Sequence, residues 1–172
     1  MLAGARTLPF VLALLLLSGC GHQQAAPVTA APAAAACPVN PDGSILRPDI
    51  PAAELKAPCA PDWPPRDGFT SLIQLTTLQP GTLLDRFGPD SGRFLSPQGE
   101  SYASRALPWV CTSLRYHVYK VDRPLTAEIG TAAAYFGEPG GAIQIKLSRP
   151  VARFLAERVL SEIPANGAAV CQ

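Results

Sequence analysis

Prolines and glycines punctuate this chain so densely, 19 and 14 of them in 172 residues, that a helical bundle or coiled coil is excluded. The length suits one compact domain with irregular appendages. Fourteen basic and thirteen acidic side chains nearly cancel, and no Lys/Arg run occurs. The electrostatic footprint needed for sequence-independent nucleic-acid binding is therefore missing, and nucleic acid is set aside as a partner. Hydrophobic residues make up 48% of the chain, but the long apolar run lies at the extreme N-terminus and is too short to span a bilayer.

That run reads as an address. Arg6 gives a positive start, Pro9 to Leu17 form an apolar stretch, and Leu17-Ser18-Gly19-Cys20 closes it with small residues before a cysteine. The pattern resembles the lipobox of bacterial lipoproteins, which implies a signal peptide over residues 1–19, cleavage before Cys20 and acylation of that cysteine. Several acyl chains on one residue exceed what stable anchoring requires, so the expectation is an exported, lipid-anchored protein of the cell envelope. Gly21 after the cysteine favours the outer membrane in a Gram-negative cell. Residues 20–36, rich in Ala, Pro, Gln and Thr, read as a tether, with His22 solvated. A second Pro-rich stretch, 37–62, is expected to wrap the domain surface without contributing strands, and the folded domain to occupy 63–172.

Removing Cys20 leaves Cys37, Cys59, Cys111 and Cys171, an even number in an exported chain, where disulfides persist. Three connectivities remain open. The local pair Cys37 with Cys59, together with Cys111 and Cys171, is favoured. No CxxC or HxxxH spacing occurs, so no metal site is expected.

Within the domain, Thr82–Phe87 and Arg93–Ser96 read as extended runs about the turn Gly88-Pro89-Asp90-Ser91-Gly92. Leu114–Val121 alternates, with Arg115, His117 and Tyr119 on one face. Ala142–Leu147 is a further strand, and Phe69–Leu78 is undecided between helix and strand. Ser148 is placed to cap a helix beginning at Arg149 with an apolar stripe through Val151, Phe154, Leu155 and Val159, and Arg153 and Glu157 stand at pairing distance. The fold class is α+β: a strand-rich single domain with a short C-terminal helix.

The chemistry inventory is narrow. Nucleophile elbows and glycine-rich phosphate loops are absent. Residues 81–160 carry ten Lys/Arg against seven Asp/Glu, and Arg86, Arg93, Phe94, Arg105, His117, Tyr119, Tyr135, Phe136, Gly140, Gly141 and Gln144 cluster there. Guanidinium forks and aromatic faces suit a phosphorylated, ring-bearing small molecule.

Four blocks sharpen this: PGTLLDRFG from Pro80 to Gly88, GRFLSP from Gly92 to Pro97, SRALP from Ser104 to Pro108, and YHVYKV followed by GTAAAYFGEPGGAIQ ending at Gln144. In this order they resemble the TNT family, named for the tuberculosis necrotizing toxin domain. The resemblance implies hydrolysis of NAD, and usually NADP, to nicotinamide and the ADP-ribose product, with the dinucleotide as substrate and no further cofactor. It implies catalytic roles for Arg86 and Gln144, a stacking role for Phe94 and a pyrophosphate role for Arg105. His117, Tyr135, Phe136 and Gly141 complete the expected substrate-binding set. Asp85, preceding Arg86 on a strand, should face the other way and serve as an ion-pair partner. Ala142, Ile145 and Tyr135 depart from the residues frequent in the family and bear on turnover and on the choice between NAD and NADP. A toxic member would need an immunity protein. Two other readings compete: an idle nucleotide- or partner-binding module, and an ADP-ribosyltransferase, although the ExE motif of many transferases is absent.

Overall fold

A computed structural model describes residues 37–70, 72–166 and 171. The expected signal, Cys20, the tether and His22 lie outside the described residues. Seven strands form one antiparallel sheet: β3 (Gln74–Leu78), β4 (Leu83–Phe87), β5 (Phe94–Pro97), β6 (Tyr116–Val121), β7 (Leu125–Thr131), β8 (Ile143–Lys146) and β9 (Leu160–Ile163). Their order across the sheet is β3-β7-β8-β5-β4-β6-β9. The one α-helix among the described residues, α1 (Val151–Ala156), buries Val151 and Phe154 against Leu84, Leu95, Tyr119 and Ile145. This is the strand-rich α+β architecture expected from the punctuation, since short runs between Pro and Gly favour strands over long helices.

The turn at Gly88–Gly92 reverses the chain, and β4 returns as β5 with Leu84 opposite Pro97 and Asp85 opposite Ser96. Period-two alternation divides β4 between two faces. Leu84 enters the main core, while Asp85 and Phe87 point to the opposite side beside Tyr102 and Tyr116. Arg86 pairs with His117 across β6.

Local expectations differ from the structure at α1. The helix starts two residues after Arg149, with Pro150 in the N-cap position and no side-chain cap from Ser148. Pro150 has no N–H and a fixed φ, so it suits the entry to a helix and displaces the cap. Glu157 pairs with Arg149 at 2.6 Å and 2.8 Å instead of with Arg153.

The strap from Cys37 to Gly68 is more structured than its prolines imply. It forms a two-stranded ribbon, β1 (Leu55–Ala57) with β2 (Ala60–Pro61). Backbone hydrogen bonds from Arg47 N–H to Pro108 O and from Val110 N–H to Ile45 O, each within 2.9 Å, fasten it to the domain. Leu46 and Ile50 are buried with Phe136 in a second, smaller core. The segment can do this because its prolines fall between isolated Leu and Ile residues, each able to fill one pocket without a regular strand. Cys37 is bonded to Cys59, and Cys111 to Cys171.

Candidate active site

Between the strap and the strands lies a cavity of about 500 Å³, within the range of small-ligand sites. Arg86 and Phe87 of β4, the Gly88–Gly92 turn, Arg93 and Phe94 form one wall. Arg105 to Leu107, Trp109, the Ala132–Phe136 turn, and Ala142 and Gln144 beside and on β8 form another, and the strap adds Trp63, Pro64, Asp67 and Gly68. Arg86 and Gln144 thus face a shared space.

Arg86 holds its guanidinium by two backbone carbonyls. Nε donates to Gly88 O at 3.1 Å and Nη1 to Phe94 O at 2.8 Å. Burial pushes its pKa down from the ordinary value, only partly opposed by the charges of Tyr119 and Asp90. It forms no ion pair among the described residues, and the carboxylate of Asp90 accepts instead from the Tyr119 hydroxyl. A half-buried cation with carbonyl partners but no carboxylate is unsatisfied electrostatically, and an anionic ligand would satisfy it. Gly92 is required for this arrangement: a Cβ there would collide with the Arg86 guanidinium. Arg93, whose Nε donates to Leu147 O at 2.8 Å, adds a second cation without an ion-pair partner among the described residues.

Gln144 is set opposite Gly130 by the β7–β8 ladder. Its Nε2 donates to the backbone carbonyl of Asp67 at 2.9 Å, which leaves Oε1 without a protein donor among the described residues. Asp67 is held over β8 by a second tie, Lys146 Nζ to its carboxylate at 2.8 Å. The backbone there is strained, because Arg66 and Asp67 both adopt φ of 54° before Gly68 at 79°. That strain turns the chain sharply and puts the Asp67 carbonyl within reach of the amide.

The remaining sequence-expected residues divide. Phe94, Tyr135 and Phe136 line the cavity. Arg105 borders it, but its Nη2 lies 2.6 Å from Asp85 Oδ1 and also donates to Glu100 O at 2.8 Å, with the guanidinium over the Phe87 ring. The pair is buried on both sides, and Asp85 Oδ2 accepts from Gly99 N–H and the Tyr116 hydroxyl. Asp85 is thus the ion-pair partner expected from its alternation. The Arg105 guanidinium thus lines the cavity with its charge paired to Asp85, whereas Arg93 has no ion-pair partner among the described residues.

His117 is not part of the wall. It lies on the same sheet face as Arg86, but its ring stacks on Tyr119 and its Nδ1 is 2.8 Å from Glu162 on the neighbouring strand. Gly141 also stays outside, its N–H bonded to Ala132 O, although Ala142 beside it lines the cavity. Gly140 and Gly141 both have positive φ, and a Cβ at Gly140 would come within 2.5 Å of Ala133, so these glycines are needed to close the turn. Sequence reasoning missed Trp63, Pro64, Asp67 and Gly68 as wall residues. Their Pro-flanked, motif-free setting gave only the signal of one aromatic residue in an otherwise polar stretch.

Fold and cleft define the class: a strand-rich α+β domain whose cleft offers an anionic ligand a carboxamide and a guanidinium that has no ion-pair partner among the described residues. Residues 77–163 match the Tuberculosis necrotizing toxin (TNT) family, and the chain belongs to that family. It is 34% identical over 95 residues to the conidial surface nicotinamide adenine dinucleotide glycohydrolase of Aspergillus fumigatus. That match covers 48% of this chain and 41% of the fungal protein, so less than half of the curated relative's length is spanned. Among solved structures it is similar to the tuberculosis necrotizing toxin complexed with its immunity factor, with a TM-score of 0.52 and 25% identity over 60% of this chain and 62% of the toxin.

Proposed function

We propose that the protein hydrolyses NAD, and NADP where it is accepted, at the bond between nicotinamide and ribose. The observation that carries this reading is the meeting in one cavity of Gln144 and Arg86, a half-buried cation without an ion-pair partner among the described residues. Family membership and the fungal glycohydrolase relative support it.

The chemistry asks little of the protein. Nicotinamide is bonded to ribose as a pyridinium cation, so when the bond breaks its electron pair returns to the ring and the leaving group departs neutral. No general acid is needed. The sugar carbon becomes oxocarbenium-like, water bonds to it, and the proton released passes to solvent, giving ADP-ribose. The protein must hold the phosphates and the ribose while admitting one water. In this reading Arg86 and Arg93 grip the pyrophosphate, and Gln144 Oε1 accepts from a ribose hydroxyl while its amide stays fixed by Asp67.

The full chain, purified and incubated with NAD and with NADP, is expected to release free nicotinamide, measured by chromatography. Gln144→Ala should abolish release with circular dichroism unchanged. Tight NAD binding by the wild-type chain without any nicotinamide release would overturn the reading in favour of an idle binding module. Appearance of label from NAD on lysate proteins in place of free ADP-ribose would favour a transferase.

We further propose that Cys20 is acylated and anchors the protein in the cell envelope, and that a toxic activity would be matched by an immunity protein. The lipobox-like Leu17–Cys20 supports the first point. The immunity factor bound to the similar toxin supports the second. Metabolic labelling with a fatty acid, lost in Cys20→Ala, tests the anchor.

A further inference from the structure

The family-matched segment begins at residue 77, yet part of the cleft wall comes from the strap before it. Trp63 is the notable contribution. The residue is 55% exposed, whereas a ring of that size is ordinarily far more buried. Its partners meet it at steep angles, Phe136 at 5.7 Å and 89° and Trp109 at 6.4 Å and 61°, so among the described residues no ring stacks parallel to it.

The position is nonetheless well fixed. Phe136 beneath it is fully buried between Leu46 and Ile50. Pro64 and Pro65 follow directly and restrict the backbone. The Gly68 N–H closes the turn onto Pro65 O at 3.1 Å. The same turn is adjacent to the catalytic amide, for a Cβ built on Gly68 would stand 3.3 Å from Pro64 and 3.8 Å from the Gln144 carboxamide. Trp63 lines the same cavity as Gln144, and Gly68 on that wall lies close to both Pro64 and the Gln144 carboxamide, which puts the indole on the side of the cavity where Gln144 addresses the ribose.

Resting on the glycohydrolase reading above, we propose that Trp63 is the platform on which the nicotinamide ring of the substrate stacks, and that the strap is a substrate-binding part of the enzyme. The chemistry favours that ring over adenine. Nicotinamide is cationic until its bond to ribose breaks, and a cation over an indole face gains an attraction that the neutral product lacks. Trp63 therefore holds the substrate more tightly than the departing nicotinamide, and prefers the oxidised dinucleotide to its uncharged reduced form.

The test is a kinetic and fluorescence comparison on the full chain. Trp63→Ala is expected to raise KM for NAD about tenfold while kcat changes less than about twofold, and Trp63→Phe to recover most of the loss. Inhibition by ADP-ribose, which lacks the nicotinamide ring, should be unaffected by either substitution. An unchanged KM in Trp63→Ala, or ADP-ribose inhibition weakened as much as NAD binding, would overturn the proposal, the second outcome because adenine would then be the stacked ring. NAD should quench the indole fluorescence of the wild-type chain, and Trp63→Phe should lose more of that quenching than Trp109→Phe, since Trp109 lines the same cavity and contributes a smaller share. Trp63-dependent quenching without nicotinamide release would sink the hydrolysis reading and leave the platform standing. Release with Trp63-independent binding would do the reverse.

Discussion

Arg86 and Arg105 are two guanidinium groups at the edge of one cavity with opposite electrostatic situations. Arg105 is matched by Asp85 in a buried pair, and removing one partner strands the other without water. Arg105→Met should therefore destabilise the fold by ~3–5 kcal/mol in a denaturant titration. Arg86 is charged against the opposition of burial, which Asp90 offsets only in part, and it has no ion-pair partner among the described residues. A base whose pKa is depressed in the folded state lowers stability wherever it remains protonated, which includes neutral pH. Arg86→Met should consequently leave the melting temperature unchanged or raise it, while kcat/KM falls by about 100-fold or more. A fall in both stability and activity at Arg86 would mean that the cation serves the fold. Gly92→Ala tests the same group while leaving its chemistry intact. The new methyl collides with the guanidinium, so activity should drop sharply with less change in secondary structure than at Gly140, where positive φ and the backbone of Ala133 also resist a side chain. The alternation of β4 made the division between Asp85 and Arg86 legible in the sequence. Partner choice was not legible, because whether a guanidinium meets a carboxylate or a carbonyl depends on where the chain brings Glu100 in its loop and Phe94 at the start of β5, which alternation within β4 does not locate.

Among the elements, strands bounded by turn chemistry were readable and those without it were not. β4, β5, β6 and β8 each begin near a Pro, Gly or Ser cluster. β7 runs into the Gly130 block with no turn residue to mark its end, and β9 follows directly on the α1 turn at Arg158, whose φ of 56° no residue type there announces. The strap was the least legible element, since a Pro-rich segment lacks periodicity even where isolated residues such as Leu46 and Ile50 are buried. Its two bridges should be separable in effect. In the chain-entropy model the 22-residue Cys37–Cys59 closure contributes about 3 kcal/mol and the 60-residue Cys111–Cys171 closure about 4 kcal/mol. Removing Cys111 and Cys171 together should lower the melting temperature more and leave KM for NAD near wild type, because neither cysteine lines the cavity. Removing Cys37 and Cys59 should lower it less but raise KM, because the ribbon that closes on this bridge backs the Phe136 wall. Equal KM values for the two double variants would show that the strap holds its place without its bridge.

At the scale of the molecule, stability in alkali should be set by tyrosine. The chain has four, and burial is the leading cause that pushes every one of them above the ordinary phenol value of 10.0. For Tyr116 and Tyr119 the carboxylates of Asp85 and Asp90 push in the same direction, because each accepts a hydrogen bond from the neutral hydroxyl and would repel a phenolate. In the unfolded chain these hydroxyls ionise near pH 10, whereas the folded protein keeps them protonated. The folded state then binds more protons than the unfolded one, and stability falls as pH rises above 10 toward the folded values, with the contribution fully present below it. Tyr119 sits in the main core and Tyr102 and Tyr116 flank Phe87 on the other face, so both sides of the sheet lose support together. An alkaline titration should show phenolate absorbance rising in the same step as loss of circular dichroism, with Tyr116→Phe and Tyr119→Phe each moving the midpoint to higher pH. Phenolate forming near pH 10 while the dichroism persists would show that water already reaches these hydroxyls, and that the two faces of the sheet are not closed in solution.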